Sequence, residues 1–208
     1  MELEYKGATA VTIKAANSGS IVLDPKISQF GLKDLKVTDA IELVTHPSKE
    51  SDSDDQKILI NGPGEYEVSN ISIKGIAATH FSQPEDKVTI YSITISGVRV
   101  VVLGHIQPNL DEAQLETIGL ADVLVLPVGG NNITLSPHDA AKIVNQIDPK
   151  IVVPVHYQDK AIKYDVEQES VDVFLKELAA TEHQIVDKLK LKNAVLPAVR
   201  TVIQVTRT

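Results

Sequence analysis

The chain has 208 residues, a formal net charge of −8 and no cysteine. This length suits one domain over residues 1–208, and the missing thiols exclude disulfides and thiolate-bound zinc, so any metal must use His, Asp or Glu. Hydrophobic residues make up 43% of the chain and aromatic residues 4%, which predicts an aliphatic core. An acidic chain without a basic stripe is unsuited to nucleic acid.

The amino terminus, MELEYKGATA, lacks the apolar segment of a secretion signal. The longest apolar runs are also too short to cross a bilayer. We therefore expect a cytoplasmic protein with no membrane partner.

The first half of the chain predicts a series of strands, most of them antiparallel neighbours, because apolar and polar residues alternate between turn residues. The polar run at 47–56 interrupts them and is predicted to be a solvated loop, since it is too polar to pack. In chain order the predicted strands are LEYKG, AVTIKAA, SIVLDP, AIELVTH, KILING, YEVSNISIKGIAATH, KVTIYSITISG and VRVVVLGH.

After His105 the pattern changes to alternating helices and strands. Ser136 before Pro137 predicts a helix start, because a serine oxygen can accept an orphan backbone N–H and proline is tolerated at the first helical position. Two of the strands are apolar on both faces, which predicts sheets covered by helices and so an α/β sandwich. The predicted segments are helix DEAQLETIG, strand DVLVLPVGG, helix SPHDAAKIVNQID, strand KIVVPVHY, a longer helix near ESVDVFLKELAAT, and strands DKLKLK and RTVIQVT.

Four histidines each follow an apolar, β-rich run: His46, His80, His105 and His156. The ends of strands are where an α/β fold gathers a metal or catalytic site. Imidazole nitrogens are also common zinc ligands. The pattern therefore makes these four residues the candidate metal ligands.

Six segments occur in a distinctive order: LDP at 23–25, ELVTH at 42–46, GPGEYEV at 62–68, ISGVRVVVLG at 95–104, LPVGG at 126–130 and HDAAKIVNQIDPKIVVPVHY at 138–157. Together they resemble the metallo-β-lactamase superfamily, and more closely its L-ascorbate-6-phosphate lactonase-like branch. The resemblance implies a four-layer αββα sandwich. It also implies one or two metal ions, usually zinc, at the shared edge of the two sheets, with a bound hydroxide as the nucleophile.

The resemblance also assigns roles to single positions. His46, His80 and His156 resemble metal ligands of the family, and His105 stands where the family has a bridging Asp. Asp24 matches an Asp that supports the ligand loop through hydrogen bonds in many members.

The ligand loop of this chain departs from the family pattern. Where the family has HxHxDH, residues 46–51 read HPSKES, so only the first ligand is kept. Glu50, in the slot of the loop's Asp, is a candidate catalytic base or ligand. Losing two histidines and the bridging Asp removes charge that would offset a second cation, so we expect at most one zinc ion per chain, or none.

Each histidine also has a plainer interpretation. His156 can be a strand-end residue bonded to a backbone carbonyl, and His46 can be a relic of a lost site. His105 can reflect drift, and His80 can be an ordinary loop residue.

The segment Gly129, Gly130 and Asn131 is a candidate substrate-binding loop. Its backbone N–H groups could hold an anionic substrate beside the helix that begins at Ser136. The alternative is a turn that needs positive φ angles.

Two functional hypotheses follow. The first is a metal-dependent hydrolase of small esters, lactones or phosphorylated metabolites. The second is a non-catalytic descendant that keeps the scaffold as a binding or interaction module. Its support is the missing HxHxDH pattern and bridging Asp, since without a metal nothing else in the sequence generates hydroxide at neutral pH. Relatives in the lactonase-like branch often assemble, so the resemblance also implies a homo-oligomer as one outcome.

Overall fold

The structure is a computed structural model that describes residues 1–16 and 18–208. In this part of the chain, fourteen strands form two sheets, and three α-helices and two short 3₁₀ turns lie in the connections. No helix within these ranges is long and apolar enough to cross a bilayer.

The first sheet has six strands in the order β13-β1-β2-β3-β4-β5. Strands β1, β2, β3 and β13 pair antiparallel, whereas β3, β4 and β5 pair parallel. In β1, Leu3 and Tyr5 are buried between half-buried neighbours, as the alternating pattern predicts. The strands are β1 (Glu2–Gly7), β2 (Ala10–Ala15), β3 (Gly19–Leu23), β4 (Ile41–Leu43), β5 (Ile58–Ile60) and β13 (Leu189–Lys190).

The second sheet has eight strands in the order β12-β14-β11-β10-β9-β8-β7-β6. Strands β6 to β9 are antiparallel, and β9, β10, β11, β14 and β12 are parallel. Every residue of β10 and β11 is buried, which confirms the prediction from their continuous apolar runs. The strands are β6 (Gly64–Val68), β7 (Ile71–Thr79), β8 (Lys87–Ile95), β9 (Val98–Val102), β10 (Val123–Pro127), β11 (Ile151–Val155), β12 (His183–Val186) and β14 (Thr201–Val205).

Buried residues of both sheets form one continuous aliphatic cluster, so the sheets face each other as a sandwich. Helices α1 (Glu112–Ile118), α2 (Pro137–Ile147) and α3 (Val171–Glu177) contact the second sheet or one another. On the first sheet, Val37 and Ala40 pack against Val22 of β3. The predicted start of α2 is confirmed, because Ser136 accepts a hydrogen bond from the Asp139 backbone N–H and Pro137 follows it.

Two predicted elements are wrong in part. The long strand predicted over YEVSNISIKGIAATH is two strands, because Ser69 and Asn70 both take positive φ angles and turn the chain. The predicted longer helix ends at Glu177, two residues before Ala179 takes a positive φ angle. A third difference is the parallel edge strand β12, which begins at His183 and which the sequence did not predict.

The fourth difference concerns the loop at 47–56. It is not solvated throughout, because a 3₁₀ turn at Pro47–Lys49 carries Lys49 into the interior, where it is 6% exposed. This lysine lies over the Phe30 ring, which stands edge-on to His156.

Candidate functional site

The four candidate histidines lie side by side at one edge of the sandwich. Each follows a strand: His46 comes after β4, His80 after β7, His105 after β9 and His156 after β11. The ring centroids are 5.4 Å apart for His46 and His80, 6.0 Å for His80 and His105, and 4.8 Å for His105 and His156. The rings therefore form a row and do not surround one point.

His156 is the most strongly positioned member of the row. The ring is fully buried, and its Nδ1 lies 3.2 Å from Oε1 of Gln168. The Gln168 amide nitrogen donates to the Val166 carbonyl, so Oε1 is the atom that faces the ring. His156 must then carry its proton on Nδ1, which leaves a lone pair on Nε2, the tautomer of an Nε2 metal ligand. Burial and the nearby Lys49 charge lower the pKa of His156 to about 3.

Gly129 makes this arrangement possible. A Cβ atom at this position would lie 2.4 Å from Gln168 Oε1 and 2.3 Å from the His156 carbonyl oxygen. Only glycine leaves the Gln168 amide room to approach the ring. Gly129 thus contributes to the site by positioning His156, a role that the sequence did not predict.

The other two residues of the predicted substrate loop lie farther along the same turn. Gly130 and Asn131 have φ angles of 68° and 54°, as the turn interpretation expects. The Asn131 side chain donates to the Glu167 carbonyl and lines an open cavity of about 440 Å³. Carboxylates of Glu167 and Glu169 also line this cavity, which makes it unfavourable for an anion. A substrate-binding role of the loop stays a prediction.

His105 stands edge-on to His156. Its ring is half-buried, and its Nε2 atom is enclosed without a hydrogen-bond partner in the described part of the chain. Nε2 of His156 is likewise buried and unpartnered there. Burial lowers the pKa of His105 well below its usual value, with further contributions from His156 and Lys49. At neutral pH both rings are therefore uncharged, as metal ligands must be.

His46 and His80 present a different nitrogen to the protein. Nδ1 of His46 accepts the backbone N–H of Ser48 at 3.2 Å, and Nδ1 of His80 accepts that of Ser82 at 3.3 Å. The proton of each neutral ring must then lie on Nε2. Nε2 of His46 lies 3.6 Å from the Asp86 carboxylate. Their predicted roles as metal ligands stay predictions.

Lys49 is a buried charged residue of the candidate site that the sequence did not predict. Its ammonium nitrogen lies 4.7 Å from the centre of the Phe30 ring, and Phe30 stands edge-on to His156 at 5.8 Å. Burial lowers the pKa of Lys49, and the Asp24 charge opposes that shift. No pattern in the sequence distinguished this lysine, since it belongs to a run that resembles an exposed loop.

Asp24 anchors the strand end that carries His46. Its carboxylate is fully buried and accepts hydrogen bonds from the Thr9 hydroxyl at 2.7 Å, the Thr45 hydroxyl at 2.8 Å and the Thr45 backbone N–H at 2.8 Å. Burial raises its pKa, and these donors and Lys49 lower it. The predicted role of Asp24 as the support of the ligand loop stays a prediction.

The remaining loop residues are occupied elsewhere. Glu50 is half-buried, and its carboxylate accepts a hydrogen bond from the Asn61 amide at 3.3 Å. Ser51 donates its backbone N–H and its hydroxyl to the buried Glu42 carboxylate, both at 2.7 Å. The predicted catalytic role of Glu50 stays a prediction.

The free imidazole nitrogens can fill part of the coordination shell of one metal ion. Among residues 1–16 and 18–208, no three His, Asp or Glu side chains are grouped so that they could hold a metal. The unpartnered Nε2 atoms of His105 and His156 can supply two of the usual four positions around zinc. The expectation of at most one ion stays a prediction, which the missing bridging carboxylate and the positive charge of Lys49 support.

Comparison with related sequences places the chain in a family. The profile of the beta-lactamase superfamily domain matches residues 2–156. A UPF0173 metal-dependent hydrolase from Lysinibacillus sphaericus is 30% identical over 223 aligned positions, which cover 85% of this chain and 96% of that protein. A UPF0173 metal-dependent hydrolase from a Geobacillus species is 27% identical, with coverage of 76% and 85%.

Comparison with solved structures agrees. The crystal structure of a metallo-beta-lactamase superfamily protein from Thermotoga maritima matches with a TM-score of 0.77 and 25% identity, covering 98% of this chain and 97% of that one. The predicted superfamily and fold class are thereby confirmed, while the narrower lactonase-like branch stays a prediction. The chain belongs to the UPF0173 metal-dependent hydrolase family of the metallo-β-lactamase superfamily.

Proposed function

We propose that this protein is a hydrolase that uses a single divalent ion, bound by Nε2 of His105 and Nε2 of His156, to act on small esters, lactones or phosphorylated metabolites. The observation that carries the proposal is the pair of buried, unpartnered imidazole nitrogens. A buried polar atom without a partner costs free energy, so such atoms usually have a ligand or another functional reason. Nitrogen donors suit zinc, which is the ion that we propose.

A bound ion would lower the pKa of a water molecule to about 7 and so supply hydroxide at neutral pH. The chain's own residues divide the remaining work. Gln168 holds His156 in the tautomer that leaves Nε2 free. His80 is half-buried at the next place in the row, and its Nε2–H can donate a hydrogen bond to a substrate oxygen. Asp86 faces Nε2 of His46 and holds that ring beside His80.

The substrate class rests on the family and on charge. A net charge of −8 without a basic stripe supports a small-molecule substrate and disfavours nucleic acid. Glu50 is the proposed proton acceptor, and replacing it with glutamine should slow hydrolysis without removing the metal. Loss of metal in that variant would instead make Glu50 a ligand.

The test is the metal content of purified, untagged protein after incubation with excess zinc and removal of the unbound metal. We expect about one zinc ion per chain, bound by a site that needs His156. His156→Ala should lose the ion, whereas His183→Ala should keep it, because His183 lies on the exposed edge strand β12. Hydrolysis of lactones and phosphate esters should follow the metal content.

Failure to take up zinc would overturn this proposal. The same would follow if His156→Ala bound as much zinc as the unmodified protein. Either result would favour the second hypothesis, a binding or interaction module on the same scaffold.

A further inference from the structure

Lys49 is unusual in its burial. Among the residues that the structure describes, it is the only lysine or arginine that is buried, and Asp24 and Glu42 are the only buried acidic residues. Ser51 satisfies the Glu42 carboxylate with two hydrogen bonds. Lys49 and Asp24 therefore remain as the buried charges of opposite sign at this edge of the sandwich.

The turn at Pro47–Lys49 directs the lysine toward the histidines. Nδ1 of His46 accepts the Ser48 backbone N–H and so caps this turn. The ammonium group then lies over Phe30, whose ring stands against His156. Its charge lowers the pKa values of His80, His105 and His156, so it acts on three of the four rings.

The Lys49 ammonium gives this edge of the sandwich a positive charge, as a bound metal ion would. The buried Asp24 carboxylate accepts three hydrogen bonds, and a cation in its surroundings further favours its charged form. Lys49 provides that cation from within the chain. A divalent ion on the two free imidazole nitrogens would share this edge of the sandwich with the Lys49 charge, and charges of the same sign repel.

We propose that the Lys49 ammonium and a divalent metal ion are alternative cations of this site, so that Lys49 sets how tightly the His105 and His156 pair holds a metal. This inference rests on the proposed function, since it needs those two nitrogens to be the ligands. For a metal to bind tightly, the lysine must leave its place over Phe30 or lose its charge. The loop around Lys49 thus controls the metal affinity of the site.

The experiment compares zinc affinity, measured calorimetrically at one pH, between the unmodified chain and three variants. Lys49→Met removes the charge and should tighten zinc binding severalfold, because a positive charge at this edge of the sandwich opposes the binding of a cation. Lys49→Arg keeps the charge and should bind zinc as the unmodified chain does. Lys142→Met removes an equal charge from the exposed surface of α2 and should have no effect.

A second measurement covers the case in which Lys49→Met does not fold without metal. Removing Lys49 leaves Asp24 without its cation, so this variant should gain more thermal stability from zinc than the unmodified chain gains. Lys49→Gln removes the charge but keeps a polar group, and it should show the same tightening.

The outcomes separate the two proposals. Equal and measurable zinc affinities in the unmodified chain, Lys49→Met and Lys49→Gln would overturn this inference and leave the proposed function standing. Zinc binding by Lys49→Met alone would support the inference and overturn the proposed function for the natural chain. Binding by neither would overturn both.

Discussion

Lowering the pH should destabilise the metal-free protein, and His156 should account for a defined part of the loss. The pKa of His156 is lowered from 6.5 to about 3 by burial and by the Lys49 charge. The unfolded chain therefore binds a proton on His156 at a pH where the native protein does not. A depressed histidine pKa thus gives stability that is complete above about pH 6.5 and is lost as the pH falls toward 3.

The magnitude follows from these two pKa values. Between about pH 7.5 and pH 5, protonation of His156 in the unfolded state should lower the free energy of unfolding by about 2 kcal/mol. His105 shifts in the same direction and adds to the total loss. The contribution of His156 must therefore be isolated with a variant.

Urea unfolding with a chelator at both pH values provides the assay. His156→Asn suits the comparison, because residue 156 has a φ angle of 49° and asparagine tolerates that conformation. The variant should lose about 2 kcal/mol less than the unmodified chain over the same pH interval. An equal loss in both proteins would refute the argument that His156 is buried as a neutral base.

Two further substitutions test the contacts that position the site. Asp24→Asn should lower the free energy of unfolding by about 1–3 kcal/mol, because an amide cannot accept all three hydrogen bonds that Thr9 and Thr45 donate to the carboxylate. Urea unfolding beside the exposed control Asp54→Asn checks this, and a loss below about 1 kcal/mol would contradict it. Gly129→Ala should cost about 1–3 kcal/mol and weaken zinc binding, because the new Cβ displaces Gln168. Gly62→Ala is its control, since no atom lies within 4 Å of a Cβ built there, and equal effects in both variants would refute the steric argument.

Much of the fold followed from local patterns. The strands β10 and β11 were predicted from apolar runs, and the start of α2 from Ser136 and Pro137. Errors arose where a backbone conformation decided the outcome, as at the turn of Ser69 and Asn70. The parallel edge strand β12 was missed because its four residues, HQIV, carry too little pattern to predict a strand.

The four histidines of the candidate site were predictable from the sequence, but Lys49 and the tautomers of the rings were not. Each histidine followed a strand, and strand ends converge at one edge of a sandwich, so their proximity could be expected. The tautomer of each ring depends on the hydrogen-bond partner of its Nδ1 atom. For His156 that partner is the Gln168 side chain, which is 12 residues away. For His80 it is the backbone N–H of Ser82, which the local turn brings to the ring. A residue's type and its neighbours in the chain do not specify such a partner.

The sequence by itself determined the superfamily, most of the strands, the absence of thiolate ligands and the identity of residues 46–51, which read HPSKES. These properties depend on residue identity, local periodicity and order along the chain. Only the tertiary structure decided that Lys49, from a loop expected to be solvated, is buried beside Phe30 and the histidines. The reason is physical. The burial of a charge depends on counter-charges and aromatic faces from other segments of the chain, here Asp24 and Phe30, and a sequence pattern does not record such distances.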